Sequence, residues 1–357
     1  MMDVDVCPEC KVPRQFIDTH IWLSGGIIVQ RADQKHRMVL IESDNLDPLF
    51  KGIGELIGVS IEHIVIETKL RSSRDYMNTI IPDEVKEQVR SFKMDIKPLI
   101  EAMNVIGHML GYGDSKLIEV RYTKNPDDYV IERITDPYSV LLWCGDLAGS
   151  SEAVVGYAHE VKYEFVSPDQ VEIIAWPSQR PPKFQERLQL KEYALLDGDI
   201  DLEKCGTCGG PAALSGYAWD VARGVIKVVE RDRRVAMLGP AYIEAVFDEL
   251  EKELGEEIPR VVVEAQRRFT RGSLYSPAEV GSEEDFRKLL ALRGLGNLRE
   301  LRMDGRGMRM SMQNAAVPLM VTGLIQGYFE DITGVESNVE WELKDDDTLE
   351  LEITPKK

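Results

Sequence analysis

The chain has 357 residues, 43% of them hydrophobic and 29% charged, which is typical of a globular protein with two domains. Its net charge of −19 disfavours nucleic acid and anionic membranes as partners, because both bind basic surfaces. The acidic N-terminus lacks the features of a signal peptide, and no apolar stretch is as long as a membrane span, so we expect a cytoplasmic protein.

Near the start of the chain, Cys7 and Cys10 form a Cys-x-x-Cys pair, and Cys205 and Cys208 form a second one. Each such turn can direct two thiolates at one cation, so the two pairs together predict a tetrahedral four-cysteine metal site. Structural zinc fits best because it is redox-silent and accepts four thiolates, whereas iron uses the same ligands and is the alternative. Two unconnected dithiols are the third interpretation. The fifth cysteine, Cys144, is expected to pack in a core.

After the first pair, one series of elements is predicted twice. Each series has a β-hairpin, an amphipathic helix that ends at a glycine, a second helix and two further strands, followed by a glycine-containing helix and a last hairpin. In the first series the first hairpin, the amphipathic helix, the two strands and the last hairpin are predicted at residues 26–43, 46–57, 116–135 and 160–176. In the second series they are predicted at 224–239, 243–254, 297–313 and 338–354.

The two series are also similar in sequence. Residues 147–175 align without gaps onto 325–353 at a shift of 178 residues, which places Gly156 on Gly334. A block further upstream aligns at a shift of 197. Unrelated amphipathic segments can give a similar pattern, but two blocks in the same order favour an internal repeat. We therefore predict an α+β fold of two tandem homologous domains, each an antiparallel sheet covered by helices, whose strands superpose.

The repeat and the cysteine pairs divide the chain into four parts. An N-terminal knuckle (1–13) precedes the first domain (14–176), and a linker with the second knuckle (177–210) precedes the second domain (211–357). The cysteine pairs would then form a zinc-ribbon-like clasp between the N-terminus and the linker, and its metal would stabilise the arrangement of the two halves.

Three segments carry a resemblance to a known family: RMVLIESDNLDPLFKGIGELIG at residues 37–58, WCGDLAGSSEAVVGYAHEVKYEF at 143–165, and the helix–glycine–hairpin run at 324–351. They resemble the 4-vinyl-reductase-like (V4R) superfamily of small-ligand-binding domains. Its members occur in sensor domains of phenol-responsive transcription activators, in a protein linked to chlorophyll vinyl reduction and in trafficking (TRAPP) subunits. The resemblance implies a ligand pocket between the helices and the sheet.

The chain departs from that family in one respect. Phenol sensors of this kind bind zinc beside the ligand through a glutamate and two cysteines around the last hairpin, whereas residues 160–174 and 338–352 contain no cysteine. The resemblance therefore does not imply that zinc site here. The sequence also has no nucleotide-binding P-loop and no helix-turn-helix region, so it is not a complete activator of that type.

The candidates for pocket residues are His108, Trp143 and Phe329. His108 could bind haem iron, since a related fold binds haem through a helical histidine. A lone histidine on an apolar helix face is, however, more often a core or boundary residue. No catalytic set of residues is evident in the sequence, so no catalytic residue is predicted.

The leading hypothesis is a non-enzymatic small-molecule-binding or regulatory protein with a structural metal site, whose first domain holds a small apolar or aromatic ligand. One alternative is an iron- or haem-dependent enzyme, or an accessory to one, that acts on an aromatic or tetrapyrrole compound; enzymatic function is therefore left open. The other alternative is a scaffold similar to trafficking subunits. In that case a protein partner is expected. Independently of these alternatives, we expect the second domain to form the inter-domain or subunit contact, which includes the contact of a possible homodimer.

Overall fold

The computed structural model describes residues 4–178, 188, 190–271, 282–304 and 306–356. Within these ranges the chain forms three antiparallel sheets flanked by α-helices, which confirms the predicted mixed class of helices and antiparallel strands. The predicted connector at 177–210 lies partly outside the described residues. Residues 190–203 of it are described and have no regular secondary structure.

The predicted elements occur in the predicted order in both halves, and additional helices lie between the second helix and the two further strands of each half. In the first half they are α1 (Arg14–Thr19), β1 (His20–Leu23), β2 (Ile27–Gln30), β3 (Arg37–Glu42), α2 (Ser43–Ile57), α3 (Glu62–Ile80), α4 (Asp83–Arg90), α5 (Lys97–Leu110), β4 (Asp114–Arg121), β5 (Tyr129–Thr135), α6 (Val140–Val155), β6 (His159–Ser167) and β7 (Gln170–Pro177). In the second half they are β8 (Tyr217–Asp220), β9 (Val225–Val228), β10 (Arg233–Leu238), α7 (Pro240–Leu254), α8 (Ile258–Thr270), α9 (Glu283–Leu292), β11 (Asn297–Asp304), β12 (Gly307–Gln313), α10 (Pro318–Thr333), β13 (Ser337–Leu343) and β14 (Leu349–Pro355).

The two halves share one central sheet. Its strand order is β1-β2-β3-β10-β9-β8. Each half therefore contributes three strands, and the two sets join at the antiparallel pair β3–β10, with Leu40 opposite Met237. All six residues of β3 are buried. Arg293 of the second half forms a buried ion pair with Glu42 of β3, with an N–O distance of 2.5 Å. The sequence predicted these hairpins but not that they pair with each other.

Each half also has a four-stranded sheet of its own, and the two sheets have the same topology. Their strand orders are β4-β5-β7-β6 and β11-β12-β14-β13. The pairing register agrees as well: Glu132 lies opposite Ile173 in the first sheet, and Met310 lies opposite Leu351 in the second. Both pairs differ by the 178 residues of the sequence alignment, so positions in the two sheets can be compared directly.

In each half, one helix pair crosses closely because glycines line the contact. α3 packs on α6 in the first half and α8 packs on α10 in the second, and the contact helices carry glycines four residues apart, at Gly145 and Gly149 and at Gly323 and Gly327. A Cβ atom on Gly149 would lie 2.2 Å from the carbonyl oxygen of Leu70, and one on Gly323 would lie 2.5 Å from that of Val263. No larger residue fits at these positions without separating the helices.

Candidate functional site

The two cysteine pairs lie on small knuckles with the same backbone structure. Isolated β-bridges close both turns, from Val6 to Pro13 and from Lys204 to Pro211. The amide of the first cysteine in each knuckle donates to a carbonyl five residues further along, in Val12 and Gly210. Both knuckles also contain a residue with a left-handed backbone just after the second cysteine: Lys11 has a φ of 62° and Gly209 a φ of 73°.

The four cysteine sulfurs lie together between the knuckles. The Sγ atoms of Cys7 and Cys205 are 3.7 Å apart, and those of Cys10 and Cys208 are 3.5 Å apart. All four ligand atoms lie within 4.8 Å of one another. A tetrahedral ion with metal–sulfur bonds of about 2.3 Å requires sulfurs about 3.8 Å apart. The predicted set of four cysteines therefore has the geometry of a metal site, which zinc and iron fit equally well.

Backbone amides prepare at least one of these sulfurs for a metal. Burial acts to raise the pKa of Cys7, but hydrogen bonds from the backbone of Cys10 and Glu9 lower it to about 6. Burial raises the pKa of Cys10 to about 12, so that thiol gives up its proton when a cation replaces it. Across the cluster, Thr207 donates a 2.7 Å hydrogen bond to Glu9, which holds the two knuckles together beside the sulfurs.

Cys144 lies elsewhere, inside α6. Its side chain is completely buried in the main core, and burial raises the pKa of its thiol well above the ordinary value. This position agrees with the packing role expected from the sequence.

A second feature is a cavity of about 590 Å³ that is lined mostly by the first half, with Gly239 and Tyr242 of the second half also in its wall. It lies between α3, α5 and α6 and the inner face of β4 and β5, and its wall is formed mainly by apolar and aromatic side chains, including Trp143, Tyr112, Tyr122 and Tyr157. Cavities of this volume are typical of sites for small organic ligands.

One carboxyl group in the cavity wall is unusual. Glu132 points to the inner face of β5 and is 1% exposed. Asn104 on α5 donates a 3.0 Å hydrogen bond to its Oε1 atom. Burial raises the pKa of Glu132 from 4.5 to about 7, although the hydrogen bond from Asn104 acts in the opposite direction. At neutral pH this carboxyl is therefore divided between its neutral and ionised forms.

Two other carboxylates in the cavity wall have several protein partners, and the remaining one, Asp18, is exposed. Asp146 forms a 2.9 Å ion pair with Lys69 and accepts hydrogen bonds from Ser73 and Tyr138. Asp128 accepts hydrogen bonds from groups that include Thr123, and these bonds lower its pKa although burial acts to raise it. These two acids thus hold the cavity wall together, whereas Glu132 has a single neutral partner among the described residues.

Differences in side-chain size between the two halves account for this cavity, and the carboxyl in its wall is also specific to the first half. On the 178-residue alignment, Ser150 of α6 corresponds to Tyr328 of α10, and Glu132 corresponds to Met310. Gly111 follows α5 and Gly294 follows α9. When these two glycines are aligned, Met103 corresponds to Phe286. Phe286 and Tyr328 stack with ring centroids 5.9 Å apart. In the second half, large side chains therefore occupy the space that is open in the first.

The structure places the three pocket candidates in different surroundings. Trp143 lines the cavity, and its Nε1 donates a 2.7 Å hydrogen bond to the carbonyl of Tyr112. His108 is buried and is not part of the cavity wall; its Nε2 accepts a hydrogen bond from the amide of Ser115 at 3.0 Å. Phe329 is buried in the core of the second half. The structure thus does not bring these three residues together.

Glu132 and Asn104 were not predicted from the sequence. The available signal was a single acid at an inward position of an alternating strand, since the neighbouring inward positions of β5 are Val130 and Ile134.

A second groove, of about 450 Å³, lies on the sheet of the second half and is lined mostly by charged residues such as Glu350 and Arg309.

Comparisons with known proteins found similarity at the level of structure. No family model matches the chain, and no curated protein matches it. Among solved structures, it is similar to the phenol-responsive sensory domain of the transcription activator PoxR with phenol, with 14% identity and a TM-score of 0.30. The similar region covers 42% of this chain and 80% of the sensory domain. Among the described helices, none has the length and apolar character needed to cross a membrane.

Proposed function

We propose that the protein is a non-enzymatic small-molecule-binding or regulatory protein whose first half holds an apolar or aromatic ligand. The cavity next to Trp143 is the observation that carries this proposal. It has the volume of a ligand site and a mostly apolar wall, and a buried carboxyl provides a polar contact that can orient a ligand. The equivalent space in the second half is filled by Phe286 and Tyr328.

We further propose that the chain arose by an internal duplication. The two halves, at 14–176 and 211–357, would be tandem V4R-like domains that have diverged, one as the binding domain and the other as its support. Identical strand order, matching register and glycines at equivalent helix contacts support this view. The linker at 177–210 would connect the two domains.

The cysteine cluster would hold a structural zinc ion. Four thiolates leave no open coordination position, which is typical of structural rather than catalytic zinc. The ion would fix the knuckles at the N-terminus and in the linker, and with them the two halves. An X-ray fluorescence scan identifies the metal, and a visible absorption spectrum separates colourless zinc from iron.

Ligand binding is tested by native mass spectrometry of gently purified protein and by a thermal-shift screen of small aromatic compounds. The matched variants are Ser150→Tyr, which copies the second half and fills the cavity, and Ser60→Tyr, which places the same side chain at an exposed position. We expect binding to the wild type and to Ser60→Tyr, and no binding to Ser150→Tyr. Equal binding by both variants, or no ligand at all for the wild type, would contradict the proposal.

A further inference from the structure

Glu132 is isolated within the cavity wall. Its side chain is 1% exposed, and within the described residues its one hydrogen bond comes from Asn104, a neutral side chain. Of the other acids that line the cavity, Asp146 pairs with Lys69, Asp128 accepts hydrogen bonds from several groups, and Asp18 is exposed to water. A buried carboxylate with so few partners is unfavourable unless another group compensates its charge.

The fold itself does not need a carboxyl at this position. The equivalent residue in the second half is Met310, which is buried on the inner face of β12 in the same register. A methionine thus satisfies the packing of this sheet, and Glu132 is retained in the half that has the cavity. Folding therefore does not account for the carboxyl of Glu132, whereas contact with a ligand does.

We infer that the ligand of the cavity is an apolar amine, which binds as a cation to the carboxylate of Glu132. This inference rests on the proposed ligand-binding role of the cavity and adds the chemical class of the ligand. The ammonium group would form an ion pair with Glu132, and the side-chain oxygen of Asn104 is a further acceptor for its hydrogens.

The remainder of the cavity wall suits such a molecule. Trp143, Tyr112, Tyr122 and Tyr157 line it, and aromatic rings attract cations as well as apolar groups. Of the permanent cations in the wall, Lys69 is already paired with Asp146 at 2.9 Å, and Arg31 and Arg121 are exposed to water. They therefore offer little competition for Glu132, and little repulsion toward a second cation.

Two probes of the same shape test the charge requirement: 2-(1-naphthyl)ethylamine and 2-(1-naphthyl)ethanol. Binding is measured by isothermal titration calorimetry at about pH 8, where the amine is protonated and Glu132 is mostly ionised. About 0.3 M salt suppresses general attraction of the amine to the acidic protein. We expect the amine to bind the wild-type protein about ten-fold or more tightly than the alcohol.

Four variants complete the experiment. Glu132→Gln, which keeps the shape, and Glu132→Met, which copies the second half, should remove the preference for the amine but retain binding of the alcohol. Glu164→Gln removes an exposed carboxylate and should retain the preference. Ser150→Tyr should abolish binding of both probes, which locates them in the cavity.

The possible failures are distinct. If the alcohol binds the wild type as tightly as the amine, or if Glu132→Gln keeps the preference, the inference is wrong while ligand binding by the cavity stands. Amine binding that persists in Ser150→Tyr would place the site elsewhere and would also overturn it. If neither probe binds the wild type, the result counts against the proposed function together with the inference.

Discussion

Removal of the Glu132 carboxyl should stabilise the ligand-free protein, and the gain should depend on pH. Burial raises the pKa of Glu132 from its ordinary 4.5 to about 7 in the folded state. Below about pH 4.5 the group is neutral in both the folded and the unfolded states and contributes nothing. Between about 4.5 and 7 the unfolded chain releases the proton while the folded protein retains it, so stability falls as pH rises.

The magnitude follows from the two pKa values. Each unit of pKa corresponds to about 1.4 kcal/mol, so a rise from 4.5 to about 7 gives a loss of about 3 kcal/mol above pH 7. Glu132→Gln does not titrate and keeps an acceptor for Asn104. We therefore expect the free energy of unfolding of Glu132→Gln, relative to the wild type, to increase by about 2.5 kcal/mol between about pH 5 and pH 8, because a small part of the loss already lies below pH 5.

Urea unfolding of both proteins over this pH range, without added ligand, provides the measurement. Because the two chains share all other titrating groups, including the cysteine site, the difference between them isolates Glu132. The control Glu164→Gln replaces an exposed carboxyl and should follow the wild type at every pH. Parallel curves for Glu132→Gln and the wild type would show that Glu132 is not held in a poorly compensated site, and the reasoning would be refuted.

Three further predictions follow from the rest of the structure. Cys7→Ser should release the metal and lower the thermal midpoint by roughly 5–10 °C, because metal binding contributes to folding. Elemental analysis should show unchanged metal in the control Cys144→Ser. Unchanged metal in Cys7→Ser would mean that the two cysteine pairs do not share an ion. Gly149→Ala should destabilise the protein by about 1–3 kcal/mol, since its Cβ would lie 2.2 Å from a backbone oxygen. The control Gly52→Ala, whose Cβ would have its nearest neighbour at 3.5 Å, should be neutral or stabilising. Equal changes in the free energy of unfolding of the two variants, measured in denaturant melts, would exclude close packing as the cause. Tyr328→Ser should cost about 3 kcal/mol in a thermal or urea melt, because it removes a ring from a filled core, and a neutral result would mean that this core is already loose.

Much of the fold could be predicted from the sequence because its elements carry local signals. β-branched residues around polar turns predicted the hairpins, and Gly58 ends α2 in the left-handed conformation with a φ of 77°. The cysteine cluster was equally accessible, since Cys-x-x-Cys spacing fixes two ligands locally. Pairing of β3 with β10 could not be predicted, because a hairpin carries the same pattern whether its outer edge is free or joined to another strand.

The cavity was harder to predict, because it depends on differences between two equivalent cores. Ser150 and Met103 are unremarkable as single residues, and they become informative only when Tyr328 and Phe286 are known to occupy the same space in the other half. Trp143 was recognised as a large aromatic residue in an apolar helix. Glu132 is not evident as a site residue, because one acid in a strand with alternating polarity is normally assigned to the solvent face.

The pairing of β3 with β10 has a consequence for the behaviour of each half on its own. A fragment that ends near residue 176 would expose β3 as a free edge of six buried residues, and such an edge readily recruits another strand. The most suitable strand would be β3 of a second fragment, in the antiparallel register that β10 now occupies. Two copies of Cys7 and Cys10 would then face each other and supply four thiolates. We therefore expect an isolated first half to assemble as a two-fold symmetric dimer around one shared ion, with a cavity in each subunit.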